Sequence, residues 1–303
     1  MEILVPDVVK QISVVYASSH GPLLRLACRE WRQLLQRHVN TNPTSLSTRG
    51  NLARYGHRDL LALIVASSRI NMGDVSVTTM SYFEEIMCGG ARGGHYHIFE
   101  DYYDKMRHST VKRLFYYPVR HIEDWIQHAC VSAARGGYAG LVDLMANRWR
   151  IKNPSAVMAY AARGGHVNLV GYCRHEFDTR DVNWAFALAA RGGHERLMRL
   201  LHEKWGADNV DRAMGRAAEG GHEHLVRLCK EQWGATRVYL AMKLAARNGF
   251  ESIVQLCHDT YGCRQVEHVN AAMLEAGRNG HSTIVRRCKE QWGATANVSM
   301  APQ

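Results

Sequence analysis

Cysteine and histidine are the residues of this chain with the most chemistry to offer. The sequence holds 8 cysteines and 17 histidines, the side chains that make most structural zinc sites. Such sites use closely spaced cysteine pairs, and the nearest two cysteines, Cys257 and Cys263, have no matching pair of histidines. The sequence therefore predicts no metal site.

Repeated glycine pairs raise a second possibility, which is phosphate binding. A phosphate-binding loop follows a strand and carries G-x-G-x-x-G or a GK[ST] ending, and neither pattern occurs here. The nucleophile motif G-x-S-x-G and the metalloprotease motif H-E-x-x-H are also missing from the sequence. We therefore predict no catalytic residue, no cofactor and no small-molecule substrate, so the chain is not expected to be an enzyme.

The glycine pairs belong to an internal repeat, A-A-R-G-G-H and its variants. Its second glycine recurs every 28 residues, and a further copy, Gly280, follows after 31. The equally spaced copies are Gly137, Gly165, Gly193, Gly221 and Gly249. Degenerate copies precede them at Gly94 and Gly56. Repetition at a fixed period is the signature of an array of stacked structural units.

The recurring cysteines and histidines hold fixed positions in this repeat. Eight residues after the second glycine stand Cys173, Cys229, Cys257 and Cys288, where other copies have Leu201 and Met145. A position shared with leucine and methionine is a core position. Directly after the glycine stand His166, His194, His222 and His281, exchanged for Tyr138 and Phe250 in other copies. We interpret these histidines as braces that hydrogen-bond the turn backbone.

Apolar spacing predicts two helices in each unit. Before the glycines, residues such as Val210, Met214 and Ala217 fall on one helical face, and the glycine supplies the left-handed residue that ends the helix. A second apolar stripe, as in Leu225 and Val226, predicts a second helix after the turn. An aromatic follows twelve residues after the glycine, where it is predicted to fill the gap between adjacent pairs: Trp149, Phe177, Trp205, Trp233, Tyr261 and Trp292. The predicted fold class is all-α, a solenoid of stacked helix-turn-helix repeats.

The repeat pattern A-A-x-G-G-H-x-x-L-V-x-L-C…W-G-A resembles the ankyrin repeat over about residues 50–296. The usual T-P-L-H start is missing and the period is five residues short, so the resemblance implies a shortened or lost hairpin between units. The motif L-C…W-G-A resembles the diverged ankyrin-like arrays of large cytoplasmic DNA viruses, particularly those of the marseillevirus type.

Residues 1–40 do not fit the repeat and are predicted to form a short helical module. Their order of Pro6, an apolar helix, a leucine-rich helix, Cys28 and Trp31 resembles an F-box. That resemblance implies docking onto the adaptor subunit of a cullin–RING ubiquitin ligase through Pro6, Ile12, Leu24, Cys28 and Trp31. The competing interpretation is a cap that shields the first repeat.

Two further segments complete the predicted organisation. Residues 41–129 hold degenerate repeats with an aromatic-rich insert at residues 96–126, either a diverged repeat with a long loop or a recognition surface. Residues 130–303 hold the regular ankyrin-like repeats. Variable first-helix positions beside the buried stripe are the predicted target contacts: Tyr160, Asn183, Trp184, Arg212, Arg216, Tyr239, Lys243 and His268.

Charge and hydropathy limit the partners. The net charge of +10 is spread along the chain without a dense basic run, which does not favour nucleic acid. No signal peptide or membrane-spanning segment is predicted, so the expected site of action is the host cytoplasm, or the nucleus. The leading hypothesis is an adaptor that recruits a host target protein to the ubiquitin ligase. The competing hypotheses are a scaffold or virion-associated structural protein, and a basic nucleic-acid-binding array.

Overall fold

The computed structural model describes residue 54 and residues 77–108, 120–149 and 151–295. All regular structure in these ranges is helical. Within the same ranges, no helix is both long and apolar enough to cross a membrane. The module at residues 1–40 and the degenerate copy at Gly56 lie outside the described residues.

The chain divides into two compact units, residues 1–152 and 153–303. The first unit contains four described helices: α1 (Val77–Arg92), α2 (Tyr96–His108), α3 (Arg120–Gly136) and α4 (Ala139–Arg148). Helix α1 packs on both α2 and α3, and α3 packs on α4. These contacts make two helix pairs, each joined by a glycine turn.

The second unit contains five helix pairs in chain order. Their first helices are α5 (Pro154–Arg163), α7 (Val182–Gly192), α9 (Val210–Gly220), α11 (Val238–Arg247) and α13 (Val266–Arg278). Their second helices are α6 (Val167–Glu176), α8 (Glu195–Arg199), α10 (Glu223–Arg227), α12 (Glu251–Gln255) and α14 (Ser282–Glu290). Each first helix packs extensively on the next first helix, whereas neighbouring second helices touch at fewer points. The predicted all-α class, with helix pairs packed in sequence, is confirmed.

The glycine turns have the predicted conformation. The second glycine of each described copy has a φ between 77° and 85°, the left-handed region that ends a helix. A second set of glycines in the connecting loops, Gly206, Gly234, Gly262 and Gly293, has a φ between 68° and 74°. A non-glycine residue pays about 1–2 kcal/mol to adopt this region, which is why glycine recurs at both turns.

The recurring cysteines lie in the core, as their exchange with leucine and methionine predicts. Cys173, Cys229, Cys257 and Cys288 are all fully buried among the alanines and leucines of the helix pairs. Burial in these apolar surroundings raises the pKa of the Cys229 thiol to about 12 and that of Cys288 to about 11. These thiols are therefore neutral packing groups at physiological pH.

The tryptophans at the ends of three second helices in the second unit bridge adjacent pairs, which confirms the predicted role for Trp205, Trp233 and Trp292. Trp205 lies under the guanidinium of Arg174 at 4.7 Å, and Trp233 contacts the His202 ring at 4.5 Å. Trp292 stacks on His258 at 4.0 Å. Each partner belongs to the preceding pair, and each of these tryptophans keeps part of its surface exposed. The aromatic therefore ties one repeat to the repeat before it.

Three second helices change from α to π geometry in their last turn, a feature the apolar pattern does not predict. The π segments are Leu200–Lys204, Leu228–Gln232 and Leu256–Thr260, at the same place in three successive repeats. In each case the loop returns to the helix, as where the Ala235 amide donates to the Cys229 carbonyl at 2.9 Å. Their regular recurrence marks them as part of the repeat architecture.

The aromatic-rich insert begins as an ordinary second helix. Phe99 and Tyr102 of α2 are buried, and the Tyr103 hydroxyl accepts a hydrogen bond from the Trp149 indole nitrogen at 3.1 Å. This first part of the insert is therefore core, as the diverged-repeat interpretation predicts. Phe115, Tyr116 and Tyr117 lie outside the described residues.

Candidate protein-binding face

One stripe of the first helices in the second unit faces away from the second helices. It consists of the positions nine, five and two residues before the second turn glycine, which share one side of a helix. We call this stripe the first-helix face. Its members are Ala156, Tyr160, Arg163, Trp184, Leu188, Arg191, Arg212, Arg216, Glu219, Leu240, Leu244, Arg247, Ala271, Glu275 and Arg278.

The turn histidines fix the ends of the helices that carry this face. The ring nitrogen Nε2 of His194 donates to the Arg163 carbonyl at 3.0 Å, and that of His222 donates to the Arg191 carbonyl at 3.1 Å. His281 bonds the Arg247 carbonyl in the same way at 3.0 Å. Each bond crosses from one repeat to the preceding one, so it brings two copies of the face into a fixed register. The predicted role as turn braces is confirmed for His194, His222 and His281.

The same rings leave no room for a side chain at the preceding glycine. A Cβ placed on Gly193 would lie 2.6 Å from the His222 ring, and one on Gly165 would lie 2.6 Å from the His194 ring. Phe250, which takes the histidine position in its copy, would lie 2.5 Å from a Cβ on Gly221. Close ring–backbone contact is thus kept even where histidine is replaced.

Two loops between repeats are braced by a side chain at the start of a first helix. The Asn183 side-chain oxygen accepts from the amides of Asp208 and Asn209 at 3.0 and 3.1 Å. Asp211 at the equivalent position accepts from the Thr236 and Arg237 amides at 2.6 and 2.8 Å. Burial opposes ionisation of the Asp211 carboxyl, but these amide donors outweigh it and lower its pKa.

Tyr239 occupies the position of Asn183 and Asp211 in the copy of Gly249, which is followed by the longer spacing of 31 residues. Its ring stacks on His268 with centroids 5.0 Å apart, and 43% of the residue remains exposed. The His268 Nδ1 lies 3.6 Å from the Cys263 sulfur in the loop below. Two of the predicted target contacts, Tyr239 and His268, are therefore brought together as one stacked pair.

Arginines dominate the charge of the first-helix face. Glu219 is the carboxylate at its centre, with Oε1 2.9 Å from the Arg191 Nη2 and with Oε2 hydrogen-bonded to Arg216. Further along, Glu275 pairs with Lys243 at 3.7 Å and with Arg278 at 3.4 Å. The stripe contains 6 arginines and 2 glutamates. The face is therefore positively charged at neutral pH.

Arg163 stands at the basic end of this group. Burial, and next the charge of Arg191, lower the pKa of its guanidinium, which nevertheless remains protonated at neutral pH. No ion pair joins Arg163 to a carboxylate anywhere in the described part of the chain. Its charge is thus available to a partner.

Aromatic side chains lie on the same face. Tyr160 and Trp184 are each half-buried, with Trp184 held at the start of α7 where its amide donates to the Asp181 carboxylate at 3.4 Å. Arg212 next to them is exposed. Half-buried aromatics and arginines of this kind are the usual energetic centres of protein interfaces.

The predicted site residues therefore fall into separate groups. Tyr160, Trp184, Arg212 and Arg216 lie together on the first-helix face, whereas the amide of Asn183 is used within the chain as a loop brace. Sequence reasoning missed Arg163, Arg191 and Glu219, although their recurrence two residues before the turn glycine is visible in the repeat. The predicted ligase contacts Pro6, Ile12, Leu24, Cys28 and Trp31 lie outside the described residues.

Across the described ranges, no group of three or more histidine, cysteine, aspartate or glutamate side chains is placed to hold a metal ion. Neither the models of known protein families nor the curated proteins gave a match to this chain. The fold and the composition of the face are therefore the basis for assigning a function.

Proposed function

We propose that this chain is a non-catalytic adaptor that binds a target protein on the first-helix face. The observation that carries the proposal is the set of arginines and half-buried aromatics on helices whose ends are held by the turn histidines. A surface held in place before binding loses little conformational entropy when a partner docks. Arginine and aromatic side chains supply most of the binding energy in such interfaces.

The proposed architecture is an ankyrin-like solenoid of viral origin. The 28-residue period, the glycine turns and the packing of each first helix on the next support the solenoid. The repeat motifs A-A-x-G-G-H and L-C…W-G-A support both the ankyrin-like character and the viral origin. Proteins of this kind present the exposed side of one helix per repeat to a partner.

The proposed cellular role is recruitment of a host protein to a cullin–RING ubiquitin ligase. Support for this step comes from the F-box-like order of Pro6, Cys28 and Trp31 in the first forty residues. The protein would supply proximity and the ligase would supply the chemistry, in the cytoplasm or nucleus of the host cell. This step is independent of target binding on the first-helix face.

Target binding is tested by proximity labelling and affinity capture from cells that express the full chain. We expect the double variant Trp184→Ala/Arg216→Ala to lose a defined set of captured proteins. The matched control is Arg286→Ala, an exposed arginine on the second helix α14. Identical partner sets for the wild type, the double variant and the control would refute binding through this face.

Ligase recruitment is tested separately with Leu24→Asp/Trp31→Ala. We expect this variant to lose the small adaptor subunit of the ligase while it retains the partners of the first-helix face. Equal recovery of the subunit by wild type and variant, or no recovery by either, would refute the ligase step. Incorporation of the protein into purified particles without ligase association would instead favour the scaffold role.

A further inference from the structure

The central part of the first-helix face already contains an occupied carboxylate site. Both oxygens of Glu219 are engaged by arginines, Oε1 by Arg191 of the preceding repeat at 2.9 Å and Oε2 by Arg216 of its own helix. The Glu219 side chain is only 14% exposed, so it lies between the two guanidinium groups at the level of the surface. The arrangement shows which chemical group this part of the face accepts.

Positive charge exceeds negative charge at this place. Arg163, Arg191 and Arg216 surround the single carboxylate, and the guanidinium of Arg163 has no carboxylate of its own among the described residues. Each guanidinium offers five N–H donors in a planar fork, and Glu219 uses only some of those of Arg191 and Arg216. Donors therefore remain for additional carboxylates supplied from outside.

Apolar surface accompanies the charge. Leu188 lies on the same stripe between Tyr160 and Arg216 in successive repeats but is buried, so the accessible apolar surface is that of Tyr160 and of Trp184, one helical turn from Leu188. Tyr160 and Trp184 each keep part of their ring accessible. A ligand for this surface thus needs apolar side chains as well as negative charge.

From this combination we infer that the face formed by α5, α7 and α9 binds an acidic segment of the partner protein. Glutamate or aspartate side chains of that segment pair with the arginine cluster of Arg163, Arg191 and Arg216, and its apolar side chains pack on Tyr160 and Trp184. The inference rests on the proposed function and names the chemistry of the target. Charge complementarity of this kind sets the register and the association rate of a protein interface.

An acidic protein segment fits better than a nucleic acid. Glu219 and Glu275 interrupt the basic residues of the stripe, and they would lie against the phosphates of a strand that followed the face. A peptide carboxylate can instead approach from the side of Arg163, which has no ion pair among the described residues, whereas a strand that followed the face would meet both glutamates. Nucleic-acid binding is therefore an outcome that the test has to exclude.

The test is fluorescence anisotropy with the full-length protein and three labelled probes. The first probe is a glutamate-rich peptide with interspersed leucines. The second is the same peptide with glutamine in place of each glutamate, and the third is an oligothymidylate of equal net charge. We expect saturable binding of the first probe that weakens as salt is added, little binding of the second, and weaker binding of the third.

Variants then locate the site. Arg163→Ala removes a charge that has no ion-pair partner, and we expect it to weaken binding of the acidic peptide about threefold to tenfold. Glu219→Gln removes the internal competitor and frees Arg191 and Arg216, so we expect binding to become about threefold to tenfold tighter. Arg286→Ala on α14 makes the same change of charge away from the face and should leave the affinity unchanged.

The direction of the Glu219→Gln effect is decisive, since a merely structural role predicts weaker or equal binding. Circular dichroism verifies that each variant is folded, and Arg163→Glu, which breaks no internal pair, replaces Glu219→Gln if the latter unfolds. Weaker or equal binding by a folded Glu219→Gln variant, unchanged affinity in Arg163→Ala or Arg163→Glu, equal binding of the glutamine peptide, or preference for the oligonucleotide would overturn the inference. If the peptide experiments gave one of these results while Trp184→Ala/Arg216→Ala still lost its cellular partners, the proposal of target binding on the first-helix face would stand. Only the inference that the bound segment is acidic would be refuted.

Discussion

Replacing Gly193 by alanine tests the contact on which the alignment of the repeats depends. The φ of Gly193 is 82°, and an added Cβ would lie 2.6 Å from the His222 ring of the next repeat. Alanine would therefore meet two separate penalties, one from its own backbone conformation and one from the ring that must move. The hydrogen bond from that ring to the Arg191 carbonyl, 3.1 Å long, would be lost with the movement.

The size of the effect follows from these parts. Left-handed backbone costs alanine about 1–2 kcal/mol, and the lost hydrogen bond with its displaced ring adds about 1–2 kcal/mol. We expect Gly193→Ala to destabilise the protein by about 2–4 kcal/mol. The matched control is Gly206→Ala, because Gly206 has a φ of 74° with nothing within 4 Å of its added Cβ. That variant should lose only the backbone part, about 1–2 kcal/mol.

The assay combines urea unfolding followed by circular dichroism with amide hydrogen exchange of peptides from α7 and α8. Exchange reports local opening, which in a repeat array differs from one repeat to the next. A double-mutant cycle with His222→Ala isolates the ring contact, with an expected coupling of about 1–2 kcal/mol. Equal losses for Gly193→Ala and Gly206→Ala, or a coupling below about 0.5 kcal/mol, would refute the reasoning.

Three further predictions concern the braces and one helix. Asp211→Ala should lower the unfolding free energy by about 1–3 kcal/mol because two loop amides lose their acceptor. Asp211→Asn should be tolerated in the same unfolding assay, because Asn183 supplies this type of side chain in the preceding repeat. Burial is the main cause that lowers the pKa of His222 below 6.5 in the folded protein, so the unfolded chain binds a proton at a higher pH than the folded chain does. The contribution of His222 to the unfolding free energy should therefore be fully present above about pH 6.5 and decrease as the pH falls below that value. The decrease should be smaller in His222→Phe. Gly171→Ala, in the interior of α6 with nothing within 4 Å of the added Cβ, should raise the unfolding free energy by about 0.5–1 kcal/mol, and a loss would contradict the open space seen there.

The repeat made much of the second unit predictable from sequence. Helix, glycine turn, buried cysteine and bridging aromatic each follow from one physical requirement that recurs in every copy, so several independent copies support each prediction. Gly221 and Cys229 are examples, since both are confirmed in conformation or burial. A single copy of either residue would have allowed several interpretations.

Contacts between repeats were harder to predict because the period does not say which side chain meets which. Asn183 looks like an exposed polar residue in the sequence, but its amide bonds a loop that is 25 residues away. The bridging of Arg191 and Arg216 by Glu219 depends on the distance between two helices, which apolar spacing alone does not determine. The π turns depend on the backbone hydrogen bonds of the loop, such as that of Ala235, and have no apolar pattern of their own.

The rings over the turn glycines all act in one direction along the chain. His194 covers Gly165, His222 covers Gly193, and His281 covers Gly249, so each of these turns is completed by residues that are synthesised later. Gly280, in the last described pair, has no atom of the described residues within 4 Å of an added Cβ. As the chain leaves the ribosome, each new repeat therefore locks the turn of the repeat before it, so these turns close in the order in which they are made.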